Sequence, residues 1–529
     1  MKGRFRHLIW PVLLALVLSA CGSRAARGSS SSQVLIRAAN YGDPGTLDPL
    51  AKSDVSARMI TMHIFDTLVK YDPVARQIRG SVAESYSVSP NGLTYTFRLK
   101  KNALFHNGRP ITAADVKYSI ERTIAPGSAS VMATAFDVVE GALAFREGRA
   151  AEITGVQVQG DHELVIRLTK PMPTFLLDLA GAAGSIYPRE EVERLGADFG
   201  QRPVGSGPFV FESWTKDDQV VLKAFDRYHG GRPRLDGVIF RFMDEEQTRD
   251  AEFQAGTIDV QVLGEALYAK YATDPALSPY LVEVPELFTR AIHFNVTRPP
   301  FDDVRVRQAI NHAVDREAII QRVLSNKAFP ATGVLPSSSA GFNRDLKGYE
   351  YNPEKARQLL AEAGYPHGFA FEVLTSSSTT KWMEAINTYL NPLGVNGKIV
   401  QLELGTALER ARRGDFQAVI FSTGGETDPL AFLTSRFHSK NWGNPGNVTR
   451  YSNPFVDRLL DEAAQTLDEA RRMQLIHDAE SIIVQETPWF IFNYNKAAMI
   501  AQPWVHGLQP VPTDIDFQDL TQVWLSPRQ

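Results

Sequence analysis

Apolar and polar positions alternate in only a few stretches of the chain, and those stretches predict its strands. Val34-Leu-Ile-Arg-Ala-Ala39 opens as a strand, and the turn formers of 40–45 break it before an amphipathic helix over 57–67. Residues 93–99 alternate one by one behind the turn pair Asn91-Gly92, which predicts one half of a hairpin. A second hairpin is predicted over 156–168 around Gly160-Asp161. Between them the period lengthens: Thr112, three residues before Asp115, makes a capping box for a helix through Arg122 with Val116 and Ile120 on one face. Together these elements predict a small α+β unit.

Strands dominate again from 207 to about 292, at 209–214, 219–225 and 237–242, with a helix over 245–255. Beyond Phe294 long amphipathic helices alternate with short apolar strands at 370–374, 398–402 and 416–421, the order of an α/β domain. The helix 353–363 carries a full set of end signals. Asn352 caps it, Pro353 takes its first position and Gly364 stands just past its end.

The N-terminus follows neither pattern. Lys2, Arg4 and Arg6 precede an apolar run over 8–18, which is too short for the ~20 residues that span a bilayer and fits a signal-peptide core. Leu18-Ser-Ala-Cys21 followed by Gly22 resembles the bacterial lipobox, in which the cysteine is acylated and becomes the first residue of the mature chain. Cys21 is also the only cysteine. Its acylation leaves no thiol for a disulfide, so stability must come from core size. Residues 22–33, with Arg24, Arg27 and a serine run, read as a flexible tether.

Composition narrows the function. The 529 residues are 43 % hydrophobic and 22 % charged, ordinary for a folded chain of about three or four domains. Lys and Arg number 56 against 60 Asp and Glu, with no long basic run, so a nucleic-acid surface has no electrostatic support. Gly205-Ser-Gly207 is followed by Pro208 and a strand, not by the helix N-terminus that a phosphate loop requires. His162-Glu163 lacks a second histidine four residues on, so no metal site is spelled out. A secreted hydrolase finds no Gly-x-Ser-x-Gly elbow either.

Several blocks resemble, in order, the large solute-binding proteins of ABC importers, the family of oligopeptide-, dipeptide- and nickel-binding proteins. The most specific is Ala83-Glu-Ser-Tyr-Ser-Val-Ser-Pro-Asn-Gly-Leu-Thr-Tyr-Thr-Phe-Arg-Leu99, continued by Phe105-His-Asn-Gly-Arg-Pro-Ile-Thr-Ala-Ala-Asp-Val116. Pro203-Val-Gly-Ser-Gly-Pro-Phe209, Tyr228-His-Gly-Gly-Arg-Pro233, Pro300-Phe-Asp-Asp-Val-Arg-Val-Arg-Gln-Ala-Ile310, Tyr351-Asn-Pro-Glu-Lys-Ala356 and Tyr451-Ser-Asn-Pro454 follow. The resemblance implies a mixed α/β and α+β chain with a two-lobed fold like the type II periplasmic binding proteins, plus an extra α+β domain. Lobe I would comprise 34–80, 200–290 and 495–529, the extra domain 81–199 and lobe II 291–494. Two hinge strands, 290–295 and 489–495, would join the lobes and let them close on a ligand.

The same resemblance implies a monomeric binding protein without catalysis, cofactor or resident metal. Lipid-anchored at the cell envelope, on the outer face of the cytoplasmic membrane or in the periplasm, it would deliver a short peptide or peptide-like solute to permease and ATPase subunits. In peptide-binding members an Asp holds the peptide's α-amine, and the equivalent position in Phe421-Ser-Thr-Gly-Gly-Glu-Thr-Asp-Pro429 is Gly425. Glu426 or Asp428 is placed to substitute, although Asp428 before Pro429 reads as a helix cap. The departure keeps a nickel or other metal chelate open as ligand, along with opines, glutathione-like compounds and sugars. Candidate ligand-binding residues are Tyr41, Trp382, Thr423, Gly424, Gly425, Glu426, Arg436, Trp442 and Tyr494, with Tyr451 and Trp489 also near the cleft. Arg436 is a candidate for a ligand carboxylate through bidentate pairing, and Trp442, in a polar loop, for a wall of the site.

Overall fold

Two long strands, Leu281–Phe294 and Trp489–Ala501, pair antiparallel through the middle of an eleven-stranded sheet. They belong to a computed structural model that describes residues 33–528 apart from 52–54, 74, 76, 129, 131, 444, 445, 510 and 512–514. Cys21, the lipobox and residues 22–32 of the tether lie outside the described residues. To one side of the central pair stand Ala418–Gly424, Ala370–Thr375 and Asn396–Gln401 in that order. On the other stand Val260–Val262, Val34–Ala39, Gly237–Phe242, Gln219–Ala224 and Phe209–Thr215. Ala328–Pro330 pairs separately on the second long strand.

The central pair changes register twice, at 285–289 where the lobes meet and again at Arg290/Ala291, where Arg290 pairs with Asn493 and Ala291 with Ile491. Pro285 pairs with Lys496 but Thr289 pairs with Tyr494, so residues 286–288 bulge from the first strand. Before the bulge, Val284, Ala497, Met499 and Ala501 pack into the apolar core of lobe I. Beyond it the strands are buried on both faces of lobe II: Ile292, Phe294, Phe490 and Phe492 on one, Ala291, Trp489, Ile491 and Tyr494 on the other. The segments 290–295 and 489–495 therefore lie largely inside the sheet of lobe II, and the changeover falls at 285–289 against 494–496.

The extra α+β unit has its own four-stranded antiparallel sheet, in the order Ala83–Val88, Thr94–Leu99, Glu163–Arg167, Val156–Val158. Helix Ala113–Thr123 starts at the capping box of Thr112 and Asp115 and buries Val116 and Ile120 against that sheet's core. The core runs from Leu68 to Ile186, while Tyr187 and Phe199 pack with lobe I.

Lobe II is built from helices whose ends are set by local chemistry. Asn352 accepts a hydrogen bond from the Lys355 amide to start helix Pro353–Glu362, and Gly364 follows at φ +91°. No helix among the described residues is long and apolar enough to cross a membrane.

Candidate functional site

At the changeover the bulge meets the turn that leaves strand Ala418–Gly424. Gly424 pairs with Phe288, and the Gly425 amide donates to the Leu287 carbonyl at 2.7 Å. A Cβ on Gly424 would stand 1.8 Å from that carbonyl oxygen, and Gly425 takes φ +95°, so both positions require glycine for backbone reasons. Thr423, one residue back, lies with its Oγ1 3.4 Å from Nε2 of His293. That imidazole stacks on Trp489 with centroids 4.3 Å apart, and burial, helped by the charge of Arg436, pushes its pKa down to about 3.

The charged candidates in this turn are already paired. Glu426 Oε1 lies 2.6 Å from Arg436 Nη1, and the Arg436 guanidinium sits 5.2 Å from the Phe432 ring. The other oxygen of Glu426 is buried with no hydrogen-bond partner among the described residues. Asp428 caps helix Pro429–Phe437 by accepting from the amides of Leu430 and Ala431, and Arg472 Nη2 reaches it at 2.6 Å. A ligand ammonium entering here meets carboxylates that already hold guanidinium groups.

The aromatic candidates divide by burial. Tyr494 is buried, and its hydroxyl accepts from the amides of Thr332 and Gly333 at 3.1 and 2.8 Å and donates to the Gly333 carbonyl at 3.1 Å. It fastens a loop of lobe II to the central strand. Tyr451 and Trp489 are likewise buried in that lobe's core. Trp382, on helix Thr380–Leu390, is buried on the other face, with the Arg290 guanidinium 4.0 Å from its ring. Trp442 is 43 % exposed with its indole N–H donated to the Tyr451 carbonyl at 2.7 Å, and Tyr41, in lobe I, is 48 % exposed. The structure thus clusters Thr423, Gly424, Gly425, Glu426 and Arg436 beside the bulge, and Arg290 connects Trp382 to the same strand.

Sequence reasoning passed over a set of charges at this junction. Glu265 opens helix Glu265–Thr273 on lobe I and reaches across to Arg290 at 3.4 Å and to Lys381 of helix Thr380–Leu390. Lys327, Glu286 and Glu246 act on the same cluster. Asp178, on helix Phe175–Ala180 of the α+β unit, faces Asp428, and burial together with that charge pushes its pKa up to about 6. No local motif marks these residues, because their partners come from distant elements. An open cavity of about 680 Å³ lies elsewhere, against the edge strand Phe209–Thr215, and is lined by His106, Arg194 and Trp214 among others. Among the described residues no three His, Cys, Asp or Glu side chains are grouped to hold a metal.

The model of the bacterial extracellular solute-binding proteins, family 5 Middle, matches residues 77–444. The chain belongs to this family. Heme-binding protein A of Haemophilus influenzae is 31 % identical to it, over 95 % of this chain and 96 % of its own. The glutathione-binding protein GsiB of Salmonella typhimurium is 32 % identical over 90 % of this chain and 92 % of its own. Among solved structures, HbpA2 from Haemophilus parasuis superposes with a TM-score of 0.80 at 28 % identity, covering 93 % of this chain and all of that one. The two-lobed fold is shared with this solved relative.

Proposed function

We propose that this chain is the solute-binding component of an ABC importer, held to the cell envelope by acylated Cys21. It captures a short peptide or peptide-like solute between its lobes and delivers it to permease and ATPase subunits. The observation that carries the reading is the bulge at 286–288, where the central strands pass between the lobes, with ionic groups from both lobes converging beside it. Such a break lets two rigid lobes swing while their sheets stay intact, and a solute touching both stabilises the closed form by its differential affinity for that form. One relative is a glutathione-binding protein, which supports a peptide-like solute.

A metal chelate is the second reading, favoured by Gly425 in place of the amine-binding Asp and by the name of the relative heme-binding protein A. The pairing of Glu426 with Arg436 and of Asp428 with Arg472 argues the same way, because each carboxylate already holds a guanidinium that an α-amine would have to share. Native mass spectrometry of the chain lacking residues 1–21, before and after mild denaturation, separates the two. A ladder of released peptide masses supports the first reading. A single mass with a metal isotope pattern replaces it by the second, and new cleavage products from an added peptide library overturn the binding reading altogether.

A further inference from the structure

The ionic groups at the junction are unevenly satisfied. Arg290 leaves its strand just past the bulge and lays its guanidinium 4.0 Å from the centre of the Trp382 ring. Its Nη1 lies 3.4 Å from Glu265 Oε1, while its Nε is buried with no acceptor among the described residues. Lys327 precedes strand Ala328–Pro330, and its ammonium makes no hydrogen bond or ion pair among the described residues. Burial, then the positive charge of Arg290, hold its pKa below the usual lysine value, so the two cations feel each other.

Three carboxylates act on this pair, and two of them are tied elsewhere. Glu246 accepts from the Gly264 amide at 2.5 Å, and Glu286 from Asn495 Nδ2 at 3.4 Å. Glu265 alone of the three forms an ion pair with Arg290, and it does so from the other lobe: its helix packs through Leu267, Tyr268 and Tyr271 on the lobe I core, whereas Trp382 and Ala328 belong to the core of lobe II. The contact is a poor one. A charge-assisted N–H···O bond closes to about 2.7–2.9 Å, and the second oxygen of Glu265 goes to Lys381 instead.

We propose that Arg290 and Lys327, backed by the Trp382 indole, form the receptor for a carboxylate of the transported solute, and that Glu265 occupies it as a stand-in until the solute displaces it. The proposal rests on the solute-binding reading and narrows it to carboxylate-bearing solutes. The indole backs the guanidinium at 4.0 Å, the Nε of Arg290 lacks an acceptor among the described residues and can donate to a carboxylate together with a neighbouring Nη, and the charge of Lys327 acts on the same group. The exchange is a replacement because the Glu265 carboxylate already stands against the Arg290 guanidinium and also holds Lys381, so an incoming carboxylate competes with it for the same cation.

The test is a competition by native mass spectrometry between tripeptides with free C-termini and the same peptides as C-terminal amides, on the wild type, Glu265→Gln and Arg290→Gln. The free acids are expected to be preferred by roughly tenfold or more, the worth of a charge-assisted pair. Arg290→Gln brings that preference close to one, and Glu265→Gln enlarges it several-fold by removing the competitor. Should Arg290→Gln fail to fold, Arg290→Lys keeps the charge without the fork and still lowers the preference. Acids and amides bound equally by the wild type overturn the carboxylate receptor while leaving a peptide-binding protein. Weaker acid binding by Glu265→Gln makes Glu265 a latch of the closed form and overturns the stand-in. Binding of neither series to any variant overturns the peptide reading, and the receptor with it.

Discussion

Gly424 and Leu287 touch backbone to backbone: a Cβ on the glycine would lie 1.8 Å from the Leu287 carbonyl oxygen and 2.8 Å from its carbonyl carbon. This contact seats the turn that carries Gly425, Glu426 and Asp428 against the bulge of the central strand. The pair Gly424–Gly425 thus has a structural use of its own, the close approach of two chain segments at the point where the lobes meet.

Gly424→Ala is expected to destabilise lobe II toward the upper end of the ~1–3 kcal/mol that overpacking costs, because its neighbours cannot yield. Both obstructing groups are backbone, so no side-chain rotation relieves the clash. Gly425→Ala is expected to cost less, about 1–2 kcal/mol, because its Cβ meets only the Phe288 ring at 3.4 Å and the strain is confined to φ +95°. Urea unfolding followed by tryptophan fluorescence measures both. A Gly424→Ala midpoint equal to that of the wild type would show that the two segments separate freely.

Glu480 gives lobe II a pH dependence. Its Oε1 accepts from the Leu335 amide at 2.9 Å, its other oxygen is buried without a partner among the described residues, and burial pushes its pKa up from 4.5 to about 7. The folded carboxyl therefore keeps a proton that the unfolded chain gives up between about pH 4.5 and 7. Stability from this group is complete below pH 4.5, falls as pH rises through that window, and levels off above it. The full effect is roughly 3 kcal/mol. Glu480→Gln retains the acceptor and cannot ionise, so its thermal midpoint should exceed that of the wild type at pH 8 and approach it at pH 4.5. Parallel pH profiles for the two proteins would refute this assignment.

What sequence reading captured was local. The strands at 34–39 and 237–242 are where the apolar runs place them, and the caps at Thr112, Asn352 and Asp428 form as their spacing predicts, because cap chemistry lies within three residues of the helix start. Strand Ala418–Gly424 ends three residues beyond its apolar run, since pairing with 288–294 sets its length and hydrophobicity does not. Tyr494 reads as a cleft residue because a strand buried on both faces carries no alternation to show which way a side chain points. Glu426 and Arg436 read as two separate ligand groups, and only the turn of the chain between them reveals that they neutralise each other. Arg290 and Glu265 meet through the bulge, a feature of strand register that composition does not encode.

The anchor proposal at Cys21 separates cleanly from the fold. Twelve residues rich in glycine, serine and arginine lie between that cysteine and Val34, where the first strand begins. A single acyl chain binds a bilayer only marginally, and two or more chains, at ~0.8 kcal/mol per buried CH₂, make the attachment durable. Cys21→Ser removes all of them at once. The variant is expected in the soluble fraction after cell lysis and centrifugation, with the thermal midpoint of the wild type, because the substitution precedes every residue of the folded cores. If Cys21→Ser still sediments with the membranes and resists salt washing, the lipid anchor is wrong and the apolar run over 8–18 is itself the attachment.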